Sequence, residues 1–185
     1  VDTGGDDIIN LAEAALGIPV SGTTDPNLTV TVTLNGKEYT TTADGTGVWN
    51  LTIPGVDVQA ITTDGTKTIG VSVTDAAGNN VTASSDFTLS SHALPTLSIG
   101  VIAGDGILNI TEAANGFTLS GTSSGLAPGT AVQVTVPGLA DPINGTVNPD
   151  GLGWTAIVPP NLLSGLTSGI VQVTVTAEDV AGNPA

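Results

Sequence analysis

The stretch Leu28-Thr29-Val30-Thr31-Val32-Thr33-Leu34-Asn35-Gly36 alternates apolar residues with threonine and then ends in a turn dipeptide. A period of two puts Leu28, Val30, Val32 and Leu34 on one face of a strand and the threonines on the other. Threonine suits an outward strand face because its β-branched side chain fits a pleated surface. Asn35-Gly36 tolerates the left-handed backbone of a two-residue hairpin, so a second strand should return directly after it. Further along, Trp49, Leu51 and Ile53 form another alternating set, and Ile69, Val71 and Val73 a third. Asp44-Gly45, Asp64-Gly65 and Gly78-Asn79 punctuate them as turns. Short strands broken about every ten residues predict an immunoglobulin-like β-sandwich. Helix is expected only as one short turn within residues 8–16, where Ala and Glu gather.

The pattern occurs twice. Asp6-Asp7-Ile8-Ile9-Asn10-Leu11-Ala12-Glu13-Ala14-Ala15 aligns with Asp105-Gly106-Ile107-Leu108-Asn109-Ile110-Thr111-Glu112-Ala113-Ala114 at an offset of 99. The same offset carries Val20-Ser21-Gly22-Thr23 onto Leu119-Ser120-Gly121-Thr122. Trp49 matches Trp154, and Asp75-Ala76-Ala77-Gly78-Asn79 matches Asp179-Val180-Ala181-Gly182-Asn183, at offsets of 105 and 104. The drift places small insertions in loops. Strand signals recur as well, at Val132, Val134 and Val136, then Trp154, Ala156 and Val158, then Val171, Val173 and Val175. A period near 100 residues is a tandem of whole domains, not a solenoid repeat. The fold class is therefore all-β: two immunoglobulin-like β-sandwiches, end to end.

Composition bounds the chemistry. The 185 residues hold 17 acids, two Lys and no Arg, a formal charge of −15. Phosphate contacts need clustered Lys and Arg, so nucleic acid is excluded as a partner, and anionic membranes are unfavourable. With no Cys there are no disulfides, thiolate metal sites or cysteine nucleophiles. One His and no Arg leave acid–base and phosphoryl-transfer chemistry without its usual groups, and the Ser residues without a triad partner, which argues against an enzyme. Hydrophobic residues still make up 39% of the chain, enough for packed cores, and aromatics at 3% leave Val, Ile and Leu to build them. No apolar run reaches the length of a membrane span. With neither an initiator Met nor a leader peptide, Val1 reads as internal to a longer chain.

The units are expected to divide at residues 1–94 and 95–185, with Pro95 stiffening a short linker around Ser90, Ser91, His92 and Leu94. Unit 2 opens with Thr96-Leu97-Ser98-Ile99, a strand that unit 1 lacks. Unit 1 closes with a strand from Val81 to Leu89 that unit 2 lacks. The 26 residues from Asn79 to Asp105 predict another acidic motif the same distance after Asn183.

The order Asp-x-Ile-Leu/Ile-Asn-x-x-Glu-Ala, Ser-Gly-Thr, Gly-x-Trp, Asp-x-Ala-Gly-Asn, met twice, resembles the bacterial Ig-like repeats of giant RTX-type, type I-secreted adhesins. The resemblance implies an extracellular, cell-attached filament whose repeats hold a terminal binding region away from the membrane. It also implies Ca²⁺ at the junctions. The residues themselves point to the same ion, because Ca²⁺ takes oxygens from carboxylates, amides and backbone. In a sandwich, the entry segment and the loop before the last strand share a pole. That grouping would bring Asp6, Asn10 and Glu13 toward Asp75 and Asn79, and Asp105, Asn109 and Glu112 toward Asp179 and Asn183. Carboxylates converging there would repel without a cation. Otherwise Asp and Asn are turn formers and Glu13 a solvated charge. Asp7, replaced by Gly106, is either a local ligand or a turn residue; Asp2 and Glu178 lie at the same poles.

Trp49 and Trp154 each start an inward-facing set and are expected in the cores rather than as sugar-stacking platforms. His92 is expected to be solvated. Lys37 and Lys67 are the chain's only lysines, so an isopeptide crosslink is not a feature of the repeat. Asn-x-Thr sequons at Asn27, Asn50, Asn80, Asn109 and Asn144 follow from threonine richness. Three functions remain: a calcium-stiffened spacer whose partners are neighbouring repeats, a fibre subunit completed by strand addition from other copies, and a glycan- or protein-binding module. The spacer fits best, because a ligand site would bring aromatics or irregular inserted loops.

Overall fold

A computed structural model describes residues 6–185. The chain divides into two compact units, Val1–Ala93 and Leu94–Ala185.

Unit 1 begins with β1 (Ile8–Asn10), the short helix α1 (Leu11–Leu16) and β2 (Ile18–Thr23). It continues through β3 (Thr29–Leu34), β4 (Lys37–Thr42), β5 (Val48–Ile53), helix α2 (Gly55–Gln59), β6 (Gly65–Thr74) and β7 (Asn80–Ser90). One sheet has the order β1-β7-β6-β3-β4 and faces the pair β2-β5. The opening alternation lands as read: Val30 and Val32 are fully buried, and Leu34 pairs with Lys37 across the hairpin. Asn35 and Gly36 both have positive φ, 49° and 77°, the twist that a two-residue hairpin turn requires. Ile9, Ile18, Trp49, Ile53, Ile69, Phe87 and Leu89 complete an aliphatic core. Helix α2 was not expected. Gly55 lets it approach α1, since a Cβ there would lie 2.1 Å from the Ala15 carbonyl oxygen.

Unit 2 runs through β8 (Thr96–Leu97), a 3₁₀ turn (Ile102–Gly104), α3 (Ile110–Asn115), β9 (Phe117–Ser124), β10 (Ala131–Thr135), β11 (Ile143–Val147), β12 (Gly153–Val158) and β13 (Thr174–Thr176). Its strands follow the order β13-β10-β11-β12-β9-β8. Val132, Val134, Val147, Trp154 and Val158 fill the core. Both units are immunoglobulin-like β-sandwiches with few, short helices.

The units differ in their first strand. In unit 1, β1 runs parallel to β7, pairing Ile8 with Thr88 and Ile9 with Leu89. In unit 2, residues 107–109 form no strand, and Ile107 is 68% exposed. The strand expected across Val171, Val173 and Val175 is short. Only Thr174–Thr176 is extended and paired, on one edge to β10, whereas β6 is held on one edge by β3 and on the other by β7.

Candidate functional site

Each acidic motif folds into two linked local devices. Asp6 Oδ1 accepts from the Ile8 N–H at 3.0 Å, and Asp105 Oδ1 from the Ile107 N–H at 2.8 Å. Between them and the helix the backbone turns through the left-handed region, at Asp7 with φ 57° and at Gly106 with φ 84°. A shared positive φ supports the reading of Asp7 as a turn residue, since Asp and Gly are among the residues that tolerate it. Asn10 and Asn109 then cap α1 and α3. Asn10 Oδ1 accepts from the Glu13 N–H at 3.0 Å, while Glu13 Oε2 accepts from the Asn10 N–H at 3.0 Å. Asn109 and Glu112 repeat this reciprocal capping box at 3.0 and 2.9 Å. The spacing Asn-x-x-Glu thus has a structural cause: it satisfies backbone N–H groups at a helix start that has no earlier turn to bond to.

The loop motif is equally self-contained. Asp75 Oδ1 accepts from the Ala77 and Asn79 N–H groups, each at 2.8 Å, and Oδ2 from the Asn79 amide at 2.7 Å. These bonds, led by the Asn79 side chain and outweighing desolvation, hold the Asp75 carboxyl below the usual carboxylate range. Asp179 accepts from Ala181 N–H, Asn183 N–H and the Asn183 amide at 2.9, 2.9 and 3.0 Å. Gly78 and Gly182 take the positive-φ position of these turns, at 87° and 81°.

The structure brings together Asn10 with Glu13, Asn109 with Glu112, Asp75 with Asn79, and Asp179 with Asn183, but not the expected wider set in unit 1: Asn10 lies beside Ser90 at the end of β7, and the Asp75–Asn79 turn precedes Asn80 at its start, so the two groups sit at opposite ends of that strand. Asp6 and Asp105 each hold the entry to a capped helix. Among the described residues no group of three or more Asp, Glu or His side chains gathers closely enough to hold a metal ion. Asp2 lies outside the described residues. The donor chemistry nevertheless suits a hard cation. Among the described residues, Asp6 Oδ2, Glu13 Oε1, Asp105 Oδ2 and Glu112 Oε1 accept no hydrogen bond, while their sister oxygens are anchored to backbone. Each is a pre-oriented, partly free carboxylate, the ligand type that Ca²⁺ prefers.

The linker adds a contact that the sequence did not disclose. His92 is exposed, as expected, and its Nδ1 also lies 3.0 Å from Asp64 Oδ1. Asp64 also accepts from the N–H groups of Ser91, His92 and Ala93, at 2.9, 3.1 and 2.8 Å. Partial burial pushes the Asp64 carboxyl upward, but the bonds from Ser91, Ala93 and His92 outweigh it and leave the group far below its ordinary range. Asp64 therefore fastens the end of unit 1. Sequence reading treated it only as a turn former, because its partners lie 27 to 29 residues away. Trp49 and Trp154 are core residues, 5% and 0% exposed. Lys37 is engaged by Asp57 at 2.6 Å, and Asp57 also accepts from the Tyr39 hydroxyl at 3.1 Å.

Comparisons with known proteins agree with this architecture. A family profile described as bacterial Ig-like domain matches residues 2–91. A solved structure described as a Ca²⁺-stabilized adhesin that helps an Antarctic bacterium reach out and bind ice is 33% identical over 99% of this chain and 45% of that one, with a TM-score of 0.58. A structure from work on host cell surface retention of a 1.5-MDa bacterial ice-binding adhesin is 29% identical over 100% of this chain and 59% of that one, with a TM-score of 0.58. A bacterial immunoglobulin-like domain from the M. primoryensis ice-binding adhesin is 37% identical over 48% of this chain and 89% of that one, with a TM-score of 0.35. The chain thus spans about half the length of the two longer structures it matches. The comparison with curated proteins returns no match. Among the described residues no helix is long and apolar enough to cross a membrane. The chain belongs to the bacterial Ig-like domain family and is homologous to the domains of large bacterial adhesins.

Proposed function

We propose that the two units are extender repeats of a large adhesin at the bacterial cell surface, and that Ca²⁺ bound at their acidic poles stiffens the array. The observation that carries this reading is the likeness over 99% of the chain, at 33% identity, to an adhesin described as Ca²⁺-stabilized. The role is mechanical rather than catalytic, in keeping with a chain that has one His and no Cys or Arg. Asp6 with Glu13, and Asp105 with Glu112, would supply carboxylate oxygens to the ion. Asn10 and Asn109 would set the helix starts that present them; the Asp75 to Asn79 turn, at the other end of β7, would serve a separate pole. A bound divalent cation removes repulsion among carboxylates that have almost no positive side chains to pair with.

Small-angle X-ray scattering of the whole chain in millimolar CaCl₂ and then in EGTA tests the reading. The expected result is a narrow, extended distance distribution in calcium that broadens on chelation, with the sandwiches still folded by circular dichroism. Superimposable curves would remove calcium from the mechanism, and complete unfolding in EGTA would replace the hinge with a folding role.

A further inference from the structure

The sequence contains three Asn-Gly pairs, Asn35-Gly36, Asn115-Gly116 and Asn144-Gly145. In each, the glycine amide nitrogen can reach the side-chain carbonyl carbon of its own asparagine, and no β-carbon on the glycine stands in the way. By sequence the three are equivalent. The fold separates them.

Asn115 is the last residue of α3, and the Gly116 N–H donates to the Glu112 carbonyl at 2.9 Å. A Cβ at Gly116 would lie 2.4 Å from the Val158 carbonyl oxygen, so the backbone there has no room to turn. Asn144 lies inside β11, where Gly145 is paired with Val132 of β10 on one side and Ala156 of β12 on the other. A residue in a strand paired on both edges has its N–H in the ladder. A Cβ at Gly145 would sit 2.4 Å from the Thr155 carbonyl oxygen. Both nitrogens are engaged, and both segments are packed.

Asn35-Gly36 has none of these restraints. It is the tip of the β3–β4 hairpin, both residues are exposed, and β4 is an edge strand of its sheet. Among the described residues neither the Gly36 N–H nor the Asn35 side chain makes a hydrogen bond. Nothing stands within 4 Å of the place a Gly36 Cβ would take. Asn35 must rotate out of its left-handed conformation, φ 49°, for a ring to close, and only the tip has to move. Local opening of that kind is cheapest where the backbone is exposed and unpacked.

We propose that Asn35-Gly36 is a self-modification site of the folded protein, deamidating ahead of the other two pairs. The Gly36 nitrogen attacks Asn35 Cγ; an N–C bond forms, the Cγ–Nδ2 bond breaks, and the side-chain nitrogen leaves as ammonia. The proton lost by the Gly36 nitrogen is returned through solvent to the leaving group. Water then opens the succinimide at either carbonyl, leaving aspartate or β-linked isoaspartate, so one water is consumed for each ammonia released. Either product puts a carboxylate beside Lys37 where a neutral amide stood. Isoaspartate also lengthens the turn by one backbone atom, which the register of a two-residue hairpin does not accommodate. The proposal is independent of the calcium reading.

The test incubates the whole chain, warm, in mildly alkaline buffer, beside a sample unfolded in guanidinium chloride. Conversion at each asparagine is read by proteolysis and fragment mass spectrometry, and the added charge by anion exchange. Unfolded, the three pairs should convert at comparable rates. Folded, Asn35 should lead Asn115 and Asn144 by roughly tenfold or more, the factor that corresponds to about 1.4 kcal/mol of extra opening at the packed pairs. Asn35→Gly, which leaves a Gly-Gly tip suited to the same turn, should remove the early acidic species. Equal rates at the three pairs in the folded chain would overturn the proposal. So would an Asn35 that stays intact over the time in which the unfolded chain converts, or an early acidic species that persists in Asn35→Gly.

Discussion

Asn109 accepts from the N–H groups of both Thr111 and Glu112, at 2.9 and 3.0 Å, so removing its side chain strips two donors at once. Asn109→Ala should cost about 1 kcal/mol, the usual loss for an N-cap. That corresponds to roughly 4–8 °C in the melting of a domain this size, read by calorimetry in EGTA. Glu112→Gln separates the two roles of the motif. Glutamine keeps the reciprocal cap, so stability in EGTA should barely change, but it removes the charge a cation would use. Under the proposed function, calcium should then raise the melting temperature less than in the parent chain; an equal rise would clear Glu112 of metal binding. Asp64 carries a different prediction. Its folded carboxyl lies below the unfolded value, so its stabilisation is complete above about pH 4 and is lost as the pH falls below that value. Asp64→Ala should lower stability near pH 7, and the gap from the parent should close in acid; a gap constant with pH would refute the assignment. The acidic motif was legible because it recurs, whereas Asp64 and His92 form a pair once, across 28 residues, with no second copy to reveal it.

At the scale of elements, period-two alternation located the main strands because one face of each is buried and the other is not. β3 shows this clearly, with Val30, Val32 and Leu34 inward and threonine between. Composition could not locate α2, whose Pro54-Gly55-Val56-Asp57 start reads as a turn until packing against α1 holds it. The alternation of Val171, Val173 and Val175 overstated β13, of which only Thr174–Thr176 is paired, with β10. Neighbours also distinguish Gly22 from its repeat counterpart Gly121. Ala at Gly121 would meet the Ser98 backbone oxygen at 1.8 Å, whereas Ala at Gly22 would meet the Trp49 ring, at 2.7 Å. A ring can tilt more easily than a paired strand can retreat. Gly121→Ala should therefore cost about 1–3 kcal/mol by displacing β8, and Gly22→Ala less, in denaturant unfolding followed by tryptophan emission. Equal losses would mean that close approach to Ser98 is not what holds β8.

Across the whole molecule, 17 acids face two lysines, and one of those, Lys37, is already paired with Asp57. Most carboxylates therefore lack a cationic neighbour, and their mutual repulsion opposes the compact state. Plain salt relieves this by screening: the Debye length falls from about 30 Å at 0.01 M to about 8 Å at 0.15 M. Melting temperature should rise over that range in NaCl for any chain so acidic, whether or not it has a metal site. A specific calcium effect must exceed this background. The expected outcome is that about 1 mM CaCl₂, which adds little ionic strength, raises the melting temperature more than NaCl or MgCl₂ at matched ionic strength. Mg²⁺ is the sharper control, because it carries the same charge but holds its water and demands a tighter octahedral shell. Coincident CaCl₂ and MgCl₂ curves would reduce the acidity to general screening and leave the capping boxes and Asx turns as the whole reason for the repeated motif. Separation of the two curves, lost in a Glu13→Gln, Glu112→Gln double variant, would tie the ion to the oxygens that the capping boxes leave free.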